Sequence, residues 1–496
     1  METYFSLQPI IIILIPVVAS LLIISSWRWP NIREIWTLLA SIAMFGMCFS
    51  MVPSVLAGQY PEINLFQISP GIGIAFKADT VGVMFALSAS LLWIITSFFS
   101  IGYMRGSKEH KQTRYYASFA LALASTMGIA LAANLLTFFI FFECLTLATY
   151  PLIIHKETPE AISGGRKYLA YLLTGGVSLL IAIIIVFQYT GVLEFVPGGF
   201  LDMNAGQGKL IAIFALFTVG VGMKAALIPL HSWLPTAMVA PTPVSALLHA
   251  VAVVKAGVFG FVRVIGFVFG PELFHDIGAG YILAGIAGAT IILASLLAMH
   301  QDNLKRRLAY STVGHLSYIV LGVALLSPVA WMGGLLHIVN HAMMKITLFF
   351  CAGAIYVNTH VEKVSEMDGI GKKMPITMTA FTIAAIGLAG IPPLNGFISK
   401  WFLAEGAVTA DETIFMVILV ISGLLNAGYF LPIVRRAFFT KSENFTKFGE
   451  ASMFMVVPLV ITALLSIYLG LMPNGVFHFF DLAKDTVLSV FGGGPL

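Results

Sequence analysis

The sequence predicts an all-α polytopic membrane protein of about fourteen transmembrane helices. Three observations predict it. Only 27 Lys or Arg and 23 Asp or Glu occur among 496 residues, 10% charged against 59% hydrophobic, with a mean hydropathy of +0.95. Soluble domains carry about 25% charged residues, and a soluble fold of this size has no way to cover its surface with so few. Apolar stretches of about 20 residues recur along the chain, separated by polar breaks, which is the helix signal in a bilayer and not the roughly ten-residue alternation of a β-barrel porin. The basic residues fall almost entirely into alternate breaks. Together these exclude a soluble enzyme, a disordered tail and a nucleic-acid binder, and make the lipid bilayer the first partner.

The stretches lie near residues 8–26, 34–55, 79–103, 115–133, 135–153, 166–189, 209–236, 243–269, 276–299, 305–326, 329–356, 376–405, 412–437 and 452–472. The first follows Met1-Glu2-Thr3 with no basic residue, and reads as a retained span, not a cleaved signal. Between the second and third, Glu62 to Lys77 alternates and carries Pro70-Gly71, which reads as a short hairpin outside the bilayer. The fourth and fifth are split only at Asn134. With fourteen spans and the N-terminus outside, 19 of the 27 basic residues fall on one side, 3 on the other (Lys77, Lys209, Lys484) and 5 inside spans. The positive-inside rule makes the first side cytoplasmic and places both termini outside.

Span seven reads GMKAALIPLH and span twelve GLAGIPPLNG, both interrupted by Ile-Pro near the middle. They are five apart in span order, an odd number, so equivalent helices of two five-helix units would run in opposite directions, the pattern of inverted-topology repeats with broken helices. Prolines placed by chance would read the same way.

Cys48, Cys144 and Cys351 sit in apolar stretches without CxxC or metal-ligand spacing, and read as buried apolar thiols. No dinucleotide or flavin fingerprint occurs, so no cofactor and no metal is expected in this chain.

An ionisable group at mid-membrane costs about 3 kcal/mol or more, which makes each one a functional candidate. Glu143 is the only charged residue between Arg114 and Lys156. It must be protonated or paired with a cation, or else anchor two helices. Lys224 precedes Pro229 by five residues. The break frees carbonyls and admits water, a setting for proton exchange, with snorkelling as the competing reading. Lys255 follows His249 by six residues on an adjacent face, so a bridging water would be needed between them. Arg263, near the end of the same helix, reads as a packing or snorkelling residue. His337, His341 and Lys345 are spaced i, i+4, i+8, one stripe covering about 12 Å of helix axis. They look like stepping stones for protons. A zinc site is disfavoured by the lysine, and the absence of a Glu after His337 rules out an HExxH motif. Lys400 follows its helix break by seven residues and mirrors Lys224, with Glu405 one turn beyond as an exit group or an interfacial carboxylate.

Three stretches carry a resemblance: GMKAALIPLHSWLPTAMVAPTPVSALLHAVAVVKAGVFG from Gly222, KRRLAYSTVGHLSYI from Lys305 and GIPPLNGFISKW from Gly390. In this order they resemble the antiporter-like subunits of respiratory complex I, of Mrp-type sodium/proton antiporters and of membrane-bound hydrogenases, over about residues 60–440. The resemblance implies fourteen helices with inverted repeats of spans 4–8 and 9–13. The chain then divides into N-terminal helices over 1–114, a first repeat over 115–270, a second over 271–440, and a last helix with its tail over 441–496. It implies a proton path through Glu143, Lys224, Lys255 and Lys400, with Glu143 and Lys224 forming an ion pair that opens and closes, and with His249, His337, His341 and Lys345 as secondary relay groups. Lys400 sets the chain apart from relatives with Glu there. About 24 residues follow the last span, too few for the lateral helix of the largest complex I subunit of this kind. Length and the Ile-Pro-Pro motif look most like the D-type subunits of Mrp antiporters.

The expected function is therefore translocation of protons, with or without Na+, by a membrane subunit of an Mrp, hydrogenase or complex I-like assembly in the cell membrane of a prokaryote. Any redox chemistry would belong to partner subunits. A stand-alone transporter of a small solute and a structural scaffold subunit are the alternatives.

Overall fold

The computed structural model describes residues 2–441 and 444–493. Strand β1 (Glu2–Phe5) precedes helices α1 (Gln8–Ser25), α2 (Pro30–Ser50) and the short α3 (Val52–Leu56), which lead into a hairpin of β2 (Gln59–Ser69) and β3 (Ile72–Lys77). The hairpin strands pair antiparallel, and β1 adds in parallel to the edge of β2. The hairpin read from the alternating sequence is present. Then follow α4 (Thr80–Gly106), α5 (Gln112–Ala130), α6 (Leu135–Ile153), α7 (Pro159–Thr190), α8 (Gln207–Lys224) and the single turn α9 (Trp233–Thr236). Next come α10 (Thr242–Ala246), α11 (Val253–Val264), α12 (Pro271–Asp276), α13 (Ala279–Met299), α14 (Leu304–Ala324) and α15 (Pro328–Thr359). The chain closes with α16 (Ile370–Lys373), α17 (Pro375–Ala389), α18 (Asn395–Thr409), α19 (Thr413–Phe439), α20 (Met453–Leu471) and α21 (Phe479–Val490).

Helices occupy all fourteen apolar stretches. Eleven of the described helices are long and apolar enough to cross a membrane. The α5 and α14 helices fall short because each opens on basic and polar residues, Gln112-Thr113-Arg114 and Lys305-Arg306-Arg307. The twelfth stretch falls short because it is two helices, α17 and α18, divided at Gly390–Leu394. The surface suits lipid: Leu14, Leu147, Val177, Ile282 and Leu424 are all exposed.

Polar side chains set the boundaries that hydropathy leaves blurred. Asn134 accepts from the Thr137 amide at 2.8 Å, which starts α6, and donates to the Gly73 carbonyl at 3.0 Å, which ties that start to the hairpin. Asp79, Thr158 and Asn303 cap α4, α7 and α14 in the same way.

Two helical runs form the axis of the molecule. The most apolar 18-residue windows of Thr242–Phe269 and of α15 are 100% buried, against 33% for α19 and 39% for α7. The first run is not a uniform α-helix. Residues Leu247–Val251 and Ile265–Phe269 form π-helical turns, the first of them centred on His249. Gly257 lets this run press on the end of α8: a Cβ there would strike the backbone at Lys224 and Ala225.

One sequence reading needs correction, and the structure decides between two others. Cys48 and Cys351 are buried, but Cys144 is exposed on the outward face of α6, one position from the inward-turned Glu143. Arg263 does not snorkel. It is 1% exposed and pairs with Asp79. Beyond the last apolar stretch the chain forms one more helix, α21, which packs on α4 and α15.

Candidate proton-transfer axis

Lys224 is the last residue of α8 and is fully buried. Its ammonium donates to the Phe142 carbonyl of α6 and lies 3.4 Å from the centroid of the Phe142 ring. Glu143 is the next residue along α6. Its carboxylate faces α7 at Gly176, where any Cβ would overlap it, and its Oε1 is buried without a hydrogen-bond partner. Among the described residues no ion pair joins Glu143 to Lys224, because the lysine is taken up by the carbonyl of the preceding residue. The structure thus shows these two groups as neighbours with the bridge open.

Lys255 does not need a water to reach a histidine. Its Nζ lies 3.0 Å from His341 Nδ1 of α15, a histidine on another helix than His249, which the sequence put on an adjacent face. His249 packs on the Phe349 ring, and both its ring nitrogens are buried without a protein partner. The stripe on α15 splits among three neighbours. His337 Nδ1 is 2.8 Å from Ser399 Oγ of α18, while its Nε2 is 3.2 Å from His315 Nδ1 of α14. His341 takes Lys255, and Lys345 donates to Ser311 Oγ of α14 at 2.8 Å.

On the far side, Lys400 donates to the carbonyls of Leu388 and Ala389 at 2.7 and 3.2 Å. These are terminal acceptors of α17, left free by the break at Ile391-Pro392-Pro393, so the cation neutralises the negative end of that helix. The same Leu388 carbonyl accepts from Asn426 Nδ2 at 3.3 Å, and Asn426 Nδ2 is also 3.3 Å from His315 Nε2. Asn426 accepts from the Tyr429 hydroxyl, which lies 2.8 Å from Ser311 Oγ. Lys345, Ser311, Tyr429, Asn426 and Lys400 are therefore joined by successive hydrogen bonds through one shared carbonyl. His315 links this chain to His337. The ring centroids of His315 and His341 are 5.4 Å apart, which brings Lys255 alongside. No carboxylate pairs with any of these lysines or histidines among the described residues.

Toward the basic side lies a cavity of about 690 Å³ lined by Lys156, Asp302, Lys305, His360 and Glu362. Lys305 reaches inward to the Ala240 carbonyl at 2.6 Å. Below it, Thr242, Ser245 and His249 descend along one face of the run. Ser245 Oγ and both His249 nitrogens are buried without a partner in the protein, and buried polar atoms of this kind are ordinarily satisfied by water.

The model of the NADH:quinone oxidoreductase/Mrp antiporter transmembrane family matches residues 132–426. The chain belongs to this family. Among family members, the N subunit of NADH-quinone oxidoreductase from Desulforudis audaxviator is 35% identical over 363 residues, 70% of each chain. The D subunit of the Na(+)/H(+) antiporter from Bacillus subtilis is 26% identical over 480 residues, 96% of each chain. A chain in the structure of the Mrp complex from Dietzia sp. DQ12-45-1b superposes with a TM-score of 0.84 at 21% identity, covering 98% of this chain and 97% of that one. The last shows a shared fold. All three are subunits of larger assemblies by name, and the D-type antiporter subunits are among the relatives.

Sequence reading missed the groups that connect the axis: His315, Ser311, Ser399, Asn426 and Tyr429. A signal existed on α14, where Ser311, His315 and Tyr318 recur at i, i+4, i+7 within a span. Attention to charge alone passed over it. Asn426 and Ser399 had no comparable pattern.

Proposed function

We propose that the chain is a proton-translocating, antiporter-type membrane subunit of a multisubunit assembly. It spans the membrane fourteen times as two inverted five-helix repeats, residues 115–270 and 271–440. Residues 1–114 and 441–496 flank them, and both termini lie on the outer side of a prokaryotic cell membrane. The observation that carries the reading is the buried row of protonatable groups around two lipid-free helices: Lys255 bonds His341, whose ring lies 5.4 Å from His315, and His315 bonds His337 and connects through Asn426 and the Leu388 carbonyl to Lys400. Similar breaks beside Lys224 and Lys400 support the repeat.

Protons are taken up from the cytoplasmic cavity, pass Thr242, Ser245 and His249, and reach Lys345 and Lys255. They leave toward Lys400. Glu143 and Lys224 are the control point. At a 4 Å separation and an effective dielectric of about 20, closing their bridge is worth roughly 4 kcal/mol, enough to put a proton on the amine or take it off. The breaks in α8–α9 and α17–α18 supply the backbone freedom such a movement needs. Sodium exchange would use the same axis and partner subunits.

The test is Lys224→Ala in the intact complex, with assembly checked by co-purification of partner chains and transport read by a pH-gradient dye in liposomes. Transport is expected to be lost. Unchanged transport in a fully assembled complex would show that the buried lysine only locks helices together, and transport by the isolated chain would favour a stand-alone carrier.

A further inference from the structure

We propose that Glu109, His110 and His155 form a binding site for a borderline transition-metal dication of the zinc class, outside the proton axis, where the α4–α5 loop meets the α6–α7 turn. The donor atoms of these three residues all lie within 4.8 Å of one another. His155 Nε2 is already 3.7 Å from Glu109 Oε2, and the rings of His110 and His155 have centroids 5.1 Å apart.

The buried histidine points to a ligand. The His155 side chain is 0% exposed, and neither ring nitrogen makes a hydrogen bond of normal geometry, with only a weak interaction to the His110 backbone. A buried imidazole so poorly satisfied is rare in folded proteins. Here its Nε2 is directed at a carboxylate that stops short of hydrogen-bond distance. A metal ion between them would satisfy both.

The donor set selects the metal. Two imidazoles and one carboxylate suit Zn²⁺ and its neighbours in the first transition row, whereas Mg²⁺ and Ca²⁺ take oxygen donors. Tetrahedral zinc with ligands at about 2.0–2.1 Å needs donors about 3.3 Å apart. His110 is 46% exposed, and closing the remaining gap exchanges its 3.9 Å contact with Glu157 for the metal. Three protein ligands leave a fourth position for water. The surrounding cations are partly offset: Lys111 and Arg114 both donate to Glu157, at 2.7 and 2.6 Å, which cancels one of their two charges. Bound metal would fasten the end of α6, the helix that carries Glu143, to the loop that follows α4.

The intact complex, stripped with chelator, would be titrated with Zn²⁺ against a competing dye, and the bound metal examined by zinc-edge X-ray absorption. The expected result is one site per chain with two imidazole nitrogens and an oxygen at about 2.0–2.1 Å. His110→Ala and Glu109→Gln, both on the accessible loop, are each expected to weaken binding by roughly tenfold or more. His155→Ala is not relied on, because it opens a cavity. The proposal is overturned if no stoichiometric zinc binds, if both variants bind like the unaltered chain, if the absorption spectrum shows three imidazoles (which would place the metal on His315, His337 and His341), or if excess Mg²⁺ displaces the zinc.

Discussion

Replacing Asp79 with Ala removes the counter-charge of an arginine that has nowhere to go. The Arg263 side chain is 1% exposed, and Asp79 is 14% exposed. The guanidinium uses both carboxylate oxygens, one at 2.9 Å, reaches the Ala130 carbonyl at 3.3 Å, and sits about 5 Å from the rings of Phe195, Phe259 and Phe267. Breaking such a pair from one side costs about 3–5 kcal/mol. Asp79 also accepts from the Gly82 amide at 2.9 Å as the N-cap of α4, worth about 1 kcal/mol more. Asp79→Ala is thus expected to lose about 4–6 kcal/mol. Asp79→Asn keeps the cap acceptor and loses about 1 kcal/mol less. Asp79→Asn combined with Arg263→Met removes both charges and recovers most of the loss. Unfolding free energies from SDS titration in mixed micelles measure all three. If the double variant is as unstable as Asp79→Ala, the buried charge is not the cause and the reasoning fails. Transport should fall with the single variants, because Arg263 lies two turns along the helix from Lys255.

Gly176→Ala places a Cβ against the Glu143 carboxylate. It should reduce transport and cost about 1–3 kcal/mol by overpacking, whereas Gly208→Ala, with nothing within 4 Å, should change neither. His315→Phe keeps the ring stack but deletes the links to His337 and Asn426. Transport in liposomes should drop roughly tenfold or more, one missing link costing at least about 1.4 kcal/mol. Unchanged transport would remove His315 from the path. Hydrogen bonds from Ser365 at 2.7 and 2.9 Å hold the Asp302 carboxyl below the usual carboxylate range. The folded-state value is depressed, so the stabilisation is present above the unfolded value and is lost as pH falls through the folded one. Ser365→Ala should therefore cost about half a kcal/mol or less at pH 7, a difference in melting temperature that closes as the pH is lowered below about 4.

The membrane class, the broken helices and the buried charges were legible in the sequence because a bilayer penalises each ionisable residue so heavily that survivors stand out. Glu143, Lys224, Lys255, Lys345 and Lys400 are visible for that reason. Their partners were not. Hydropathy ranks residues along the chain, whereas Lys255 meets His341 across 86 positions and Lys345 meets Ser311 across 34. The neutral linkers Ser399, Asn426 and Tyr429 cost too little individually to mark a span. Arg263 kept two readings, packing and snorkelling, because the partner that decides for packing, Asp79, lies 184 positions away. Cys144 was misread because helix phase, not hydropathy, decides which residue of α6 turns outward.

A row of lysines and histidines without carboxylates has an occupancy rule built in. Two positive charges at the 5.4 Å spacing of His315 and His341 repel by roughly 3 kcal/mol at an effective dielectric of about 20. A second excess proton is therefore turned away until the first has moved on. On the proposed path, traffic would be single-file and one at a time, and the arrival of each proton at one end would be the push that clears the other.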